Sequence, residues 1–216
     1  MQKENTTCKK CGDCCKKGGP ALHSEDLESI RSGRLSVRSL ITIRKGELAY
    51  NPLTGMVQPV KHELIKIVGT RGEWSCCFFD ELRGCTIYDF RPQACRILEC
   101  WDTAEIEKLV GTDTLSRYDI LPSDHPLVPV IQRYDTVCSC EGLELIRENY
   151  RLLSRAEKDA IESKVNEDLV FRSKVIGEFD LDLQEELFYF GRPFFQLLQP
   201  LGVSVKEIGG KLQLIW

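Results

Sequence analysis

Several things are missing from this 216-residue sequence, and each absence closes a class of function. No stretch approaches the roughly 18 consecutive apolar residues that a membrane-spanning helix requires, so no span is expected. There are three histidines, His23, His62 and His125, too few to argue a Ser-His-Asp or Cys-His catalytic order. His23 and His62 read as packing or surface residues. Neither GxGxxG nor GxxxxGK[ST] occurs, so nucleotide binding on a glycine-rich turn has no support. No CxxxCxxC triplet occurs either, which argues against the usual radical S-adenosylmethionine cluster loop. The net charge of -4 and the lack of interleaved basic and aromatic residues leave no phosphate track, so nucleic acid is not an expected partner. The opening stretch, MQKENTTCKK, is polar and cannot serve as a secretory h-region. A reducing cytoplasm is the expected compartment.

Cysteine, by contrast, is abundant. Eleven cysteines are present, about 5% of the chain and below the ~8–10% of disulfide scaffolds. In a reducing compartment, clustered cysteines are more often metal ligands or redox groups than disulfides. They fall into three blocks. Cys8, Cys11, Cys14 and Cys15 lie in CKKCGDCC, a polar Gly-Lys loop with no core of its own to supply. Cys76, Cys77, Cys85, Cys95 and Cys100 lie in CCFFDELRGCTIYDFRPQACRILEC. Cys138 and Cys140 form a smaller third group, which with Cys100 and His125 could make a further site. A CxxC pair lets two thiolates reach one ion from a tight turn, and two such pairs close a zinc site or an iron-sulfur cluster. The first block therefore needs a second half from elsewhere in the chain.

Around these blocks the pattern predicts an α+β chain. With 42% hydrophobic residues, it can bury a sizeable core. A short helix is expected from an N-cap at Ser24 to about Gly33. Strands are expected at Ser39–Ile43 and Leu64–Val68, with a turn over Asn51–Gly55 between them. Asp102 and Glu105 read as a capping box for a helix to about Val110, and His125–Tyr134 looks interrupted by proline. Beyond Cys140 the apolar spacing becomes helical: Ser154 and Glu157 form a second capping box, and Pro193 separates two helices. The end, GVSVKEIGGKLQLIW, reads as a β-hairpin about Gly209-Gly210 with Val205 opposite Leu214. An irregular, metal-stapled cysteine-cluster domain over residues 1–140 and a mainly helical segment over 141–216, ending in that hairpin, are the expected divisions.

CKKCGDCC and the later CCFFDELRGCTIYDFRPQACR together resemble the YkgJ-type cysteine-cluster family, over roughly residues 8–100. The motifs are specific: a CxxCxxCC start and a later Cys-x-Ile-Tyr-x-x-Arg-Pro-x-x-Cys-Arg stretch. Membership implies a domain that chelates zinc or iron. Matched residue by residue, it implies Cys8, Cys11, Cys14, Cys15, Cys76, Cys85 and Cys95 as metal ligands, with Cys100 as the eighth. Cys77 stands where the family often has proline, so a packing role is expected for it, and Cys138 and Cys140 lie outside the motif. Eight thiolates would fill two four-cysteine sites, or one cluster plus one zinc. Cys8, Cys11 and Cys14 reproduce the first three positions of the ferredoxin run CxxCxxCxxxCP, but Gly18 takes the fourth, and zinc is favoured.

Three functions follow as expectations. The first is a metal-binding protein with a structural or chelating role, whose helical C-terminal segment docks another protein. The resemblance extends to flagellin lysine methylases, so the second is a cluster-dependent transfer of methyl from S-adenosylmethionine to a protein lysine. The third is an iron-sulfur electron-transfer or redox-sensing protein. Lys9, Lys10, Lys16, Lys17, Arg83, Arg91 and Arg96 crowd the thiols. Arg91 and Arg96 are expected to brace carbonyls or the Asp89 carboxylate, and Phe78, Phe79, Tyr88 and Phe90 to wall the site from water.

Overall fold

The structure is a computed structural model that describes residues 8–70 and 74–216. It is α+β, and among the described residues its strands form four two-stranded sheets. After a single helical turn, α1 (Asp13–Lys16), the chain enters α2 (Leu27–Arg31) through a 3-10 turn at Ser24–Asp26. Strands β1 (Leu40–Ile43) and β4 (Leu64–Ile67) pair antiparallel, Ile41 opposite Lys66, while β2 (Leu48–Asn51) and β3 (Met56–Pro59) form the hairpin between them. A short ladder of β5 (Phe79–Asp80) and β6 (Gly84–Cys85) carries the second cysteine block, followed by α3 (Gln93–Ile97), α4 (Ala104–Leu109) and α5 (Arg117–Ile120). The helical part comprises α6 (Leu127–Val137), α7 (Leu143–Asn149), the 25-residue α8 (Arg155–Phe179), α9 (Leu183–Phe190) and α10 (Phe194–Leu198). The chain closes with β7 (Ser204–Ile208) and β8 (Lys211–Ile215), with Val205 facing Leu214 as the pattern predicts.

Strand alternation sets how β1 and β4 are used. Leu40, Thr42, Ile65 and Ile67 are buried on one face, against which α9 packs and where Thr42 Oγ1 donates to the Phe188 carbonyl. Gly191 ends α9 at φ +65°, and a Cβ there would lie 2.6 Å from the Thr42 carbonyl oxygen, so only glycine lets the chain turn so close to β1. The main apolar cluster joins Leu22, Leu40, Ile65 and Leu115 to Ile131, Tyr134, Phe188 and Phe190. It thus draws on residues either side of position 140. A second cluster, with Val165, Phe194, Leu198 and Leu214, sits under the terminal hairpin.

Helix starts show small corrections. The Ser154–Glu157 capping box opens α8 as expected, Ser154 N donating to Glu157 Oε2 at 2.8 Å. The 3-10 turn that leads into α2 is capped by His23, not Ser24, because the Asp26 carboxylate reaches back to the His23 amide. No Asp102–Glu105 box forms: α4 starts a residue later with Thr103 as N-cap, and Asp102 accepts from the Ala104 amide. Pro193 is the N-cap of α10 instead of its first residue. The proline-interrupted stretch at 125–134 is mostly helix α6, since Pro126 is its N-cap and Pro129 falls in the first turn, where no amide hydrogen bond is lost. Among the described residues, no helix is long and apolar enough to cross a membrane.

Candidate metal centre

Backbone contacts, not a shared element, join the two cysteine blocks. Gly12 precedes α1 at φ +81°, and a Cβ there would fall 2.1 Å from the Phe79 ring. Glycine is therefore required for the first loop to lie on the second block. The Cys76 amide then donates to the Cys15 carbonyl at 2.9 Å, and Cys77 N donates to Val68 O, so residues 76–77 are held between the first loop and the end of β4. Cys85 pairs with Phe79 across β5–β6. Cys95 lies on α3, whose first amide, Gln93 N, donates to Asp26 Oδ1 at 2.8 Å. Asp26, 1% exposed, thereby fixes both the 3-10 turn and the helix that carries Cys95.

This frame gathers most of the expected set. Cys8, Cys11, Cys14, Cys15, Cys85, Cys95 and Cys100 all line one cavity of about 680 Å³. Cys76 lines an adjoining cavity of about 350 Å³ that shares Cys14, Cys15, Cys85 and Cys95. Cys77 lines neither and packs beside the main core. Cys138 and Cys140 are buried in different apolar clusters, and His125 stacks on Tyr189, so the structure does not unite them with Cys100. His23 is buried, its Nδ1 3.0 Å from the Thr112 carbonyl, and His62 is exposed.

The thiols are gathered but not converged. Among the described residues, no three or more His, Cys, Asp or Glu side chains are placed to hold an ion as they stand. The Cys14 and Cys15 sulfurs are 4.0 Å apart, close to the ~3.8 Å edge of a tetrahedron with zinc–sulfur bonds of about 2.3 Å. Burial, with neighbouring thiols adding to it, pushes Cys15 and Cys95 up to about 12. Cys85 is raised by burial too, and Cys76 by its contact with Cys77 and by burial. Cys8 moves the other way, lowered by the Lys10 backbone amide, then by Tyr88 and Arg91. Thiols this crowded cannot all ionise without a cation, and a soft divalent ion that displaces their protons removes the conflict. The donor set fits zinc or iron on that ground.

The surrounding residues follow expectation only in part: Arg96 braces a carbonyl, Arg91 stacks on Tyr88 instead, and of the four aromatic residues Tyr88 lines the cavity while Phe78, Phe79 and Phe90 pack against the main core. Arg96 Nη1 donates to the Arg91 carbonyl at 2.9 Å, although its carboxylate partner is Glu25 at 2.6 Å rather than Asp89. The Arg91 guanidinium and the Lys10 ammonium each lie 4.0 Å from the Tyr88 ring centre, which places two cations and an aromatic wall at the cavity. Asp26 was not legible as the brace of α3, although an acidic residue opening a helix does mark it as a local cap.

Neither curated proteins nor solved structures include a match to this chain. A family comparison does find one, and it extends past the last cysteine of the second block. Residues 7–112 match the model described as "CxxCxxCC: Putative zinc- or iron-chelating domain", the cysteine-cluster family that the motifs resemble.

Proposed function

We propose that this chain binds metal through Cys8, Cys11, Cys14, Cys15, Cys76, Cys85, Cys95 and Cys100, with zinc as the ion, and that the metal's role is structural or chelating. One observation carries the reading: seven of those eight thiols, drawn from segments some 70 to 90 residues apart, line a single cavity. Buried free thiols fill cores, whereas Cys8, Cys11, Cys14 and Cys100 are exposed and contribute nothing to packing. Zinc would supply charge neutralisation and a cross-link between the two blocks. Closing a loop of about 60 residues costs about 4 kcal/mol of chain entropy, which a metal bond set offsets. Arg91 and Lys10 would balance the excess negative charge of the thiolates.

The test is anaerobic purification followed by elemental analysis and a visible spectrum. Colourless protein with zinc bound, and loss of that zinc in Cys14→Ser and Cys95→Ser but not in Cys77→Ser or Cys138→Ser, supports the proposal. Brown protein that bleaches on reduction replaces it with an iron-sulfur redox reading. Metal-free protein with unaltered circular dichroism and melting rejects both.

A further inference from the structure

The 350 Å³ cavity beside the metal centre has a wall that the thiols do not explain. Its size is at the lower end of ligand pockets. Ile43 and Leu64 line it from the β1–β4 face opposite the buried core, and Leu98, Ile106 and Leu109 line it from α4 and the loop before it. Into this mostly apolar wall β4 also puts Lys66, on the same strand face as Leu64.

Lys66, half-buried, differs from the buried arginines of the molecule, among which Arg44, without an ion pair among the described residues, still donates Nη1 to the Cys138 carbonyl at 2.8 Å and lies over the Tyr134 ring. Arg117 is held by Glu63 and Asp135, Arg172 by Asp168 and Glu186, and Arg192 by Glu47. Among the described residues, Lys66 forms no ion pair or side-chain hydrogen bond, and no aspartate or glutamate lines its cavity. Burial and then the Arg192 guanidinium lower its pKa, the direction expected where no anion offsets desolvation. The other cation on this wall, Arg91, is stacked on Tyr88 toward the thiols. An ammonium in a mostly apolar wall with no carboxylate beside it among the described residues is costly, and a ligand that brings both an anion and an apolar body lowers that cost.

We infer that this cavity is a binding site for a small amphiphilic carboxylate, its acid group pairing with Lys66 and its hydrocarbon body lying against Ile43, Leu64, Ile106 and Leu109. The site is separate from metal binding, although the two share a wall of thiols. Its specificity is for one negative charge on an apolar skeleton of modest size, because Lys66 is the one ammonium among the described residues of the wall.

Titration calorimetry of the full-length, metal-replete protein with octanoate and with octanol tests this. Octanoate is expected to bind at least tenfold more tightly than octanol. Lys66→Met keeps the wall apolar and is expected to abolish the preference, whereas Lys66→Arg retains it, with metal content unchanged in both. Equal binding of acid and alcohol by the unaltered protein, or binding of neither, overturns the inference without need of a variant. Loss of metal from Lys66→Met, with no octanoate preference in the parent, assigns Lys66 to balancing thiolate charge and also overturns it. The metal assay on the same samples separates this failure from failure of the metal proposal.

Discussion

In the helical half of the molecule, charges that leave water find their partners in the protein. Arg172 on α8 donates to Asp168 at 2.9 Å, to Glu186 at 2.6 Å and to the carbonyls of Phe190 and Gly191 at 3.0 Å, while Tyr134 and the Phe194 amide complete the Asp168 carboxylate. One guanidinium thus ties α8 to the end of α9 and the start of α10. In the cysteine half, short elements joined by a few backbone bonds surround a cavity of thiols that repel one another once ionised. The first region pairs its charges within the protein, and the second gathers thiols whose mutual repulsion a cation would relieve. Stability should therefore respond to metal in one region and to side-chain truncation in the other.

Metal removal offers the largest way to break this contrast. Structural zinc contributes on the order of 10 kcal/mol to folding in small zinc domains, so chelation is expected to strip hydrogen-exchange protection from residues 8–22 and 76–97 while α8 and α9 stay protected. Uniform loss across the chain would erase the distinction. The pH dependence has a definite sign. Cys15 and Cys95, pushed up to about 12, are protonated thiols at neutral pH, so metal uptake releases protons and apparent affinity rises with pH. Competition titrations between pH 6.5 and 8.5 check this, and a flat profile would mean that the ligands are already ionised.

Arg172→Met probes the other half. It leaves Asp168 and Glu186 buried without their cation, and the expected loss is about 3–5 kcal/mol, read as a lower denaturant midpoint with metal content unchanged. Equal loss of metal and of stability would show that the two regions do not respond independently.

The same contrast explains what could be read in the sequence. Local signals were legible: the Ser154–Glu157 box, the Gly209-Gly210 hairpin and the thiol-rich loop each depend on residues a few positions apart. Helix α6 was missed because proline was read as a break, although Pro129 sits in the first turn, where it is tolerated. Long-range partners had no local signature. Arg117 finds Glu63 across 54 positions and Asp26 finds Gln93 across 67, and neither choice follows from periodicity. Lys66 carries no local mark of its setting either, since sequence shows a charge but not what faces it. Seven of the eight thiols that the motif singles out line one cavity, but convergence on an ion depends on distances that spacing alone does not set.

The smallest effect sharpens the comparison at a single helix end. Ser154 Oγ accepts from the Glu157 amide at 3.3 Å and Glu157 Oε2 accepts from the Ser154 amide, satisfying donors that α8 would otherwise leave open. Ser154→Ala is expected to cost about 1 kcal/mol, with hydrogen exchange quickening only in the first turn of α8. Hydrogen bonds from Ser154 hold the Glu157 carboxyl below the usual carboxylate range. Its part of the cap is therefore present above the unfolded carboxylate pKa and is lost as pH falls through the lower, folded one. The gap in melting temperature between parent and variant should narrow on acidification. A gap that held constant would assign the cap to the serine hydroxyl alone, and either result leaves metal binding untouched, because this end of α8 shares no residue with the cysteine cavity.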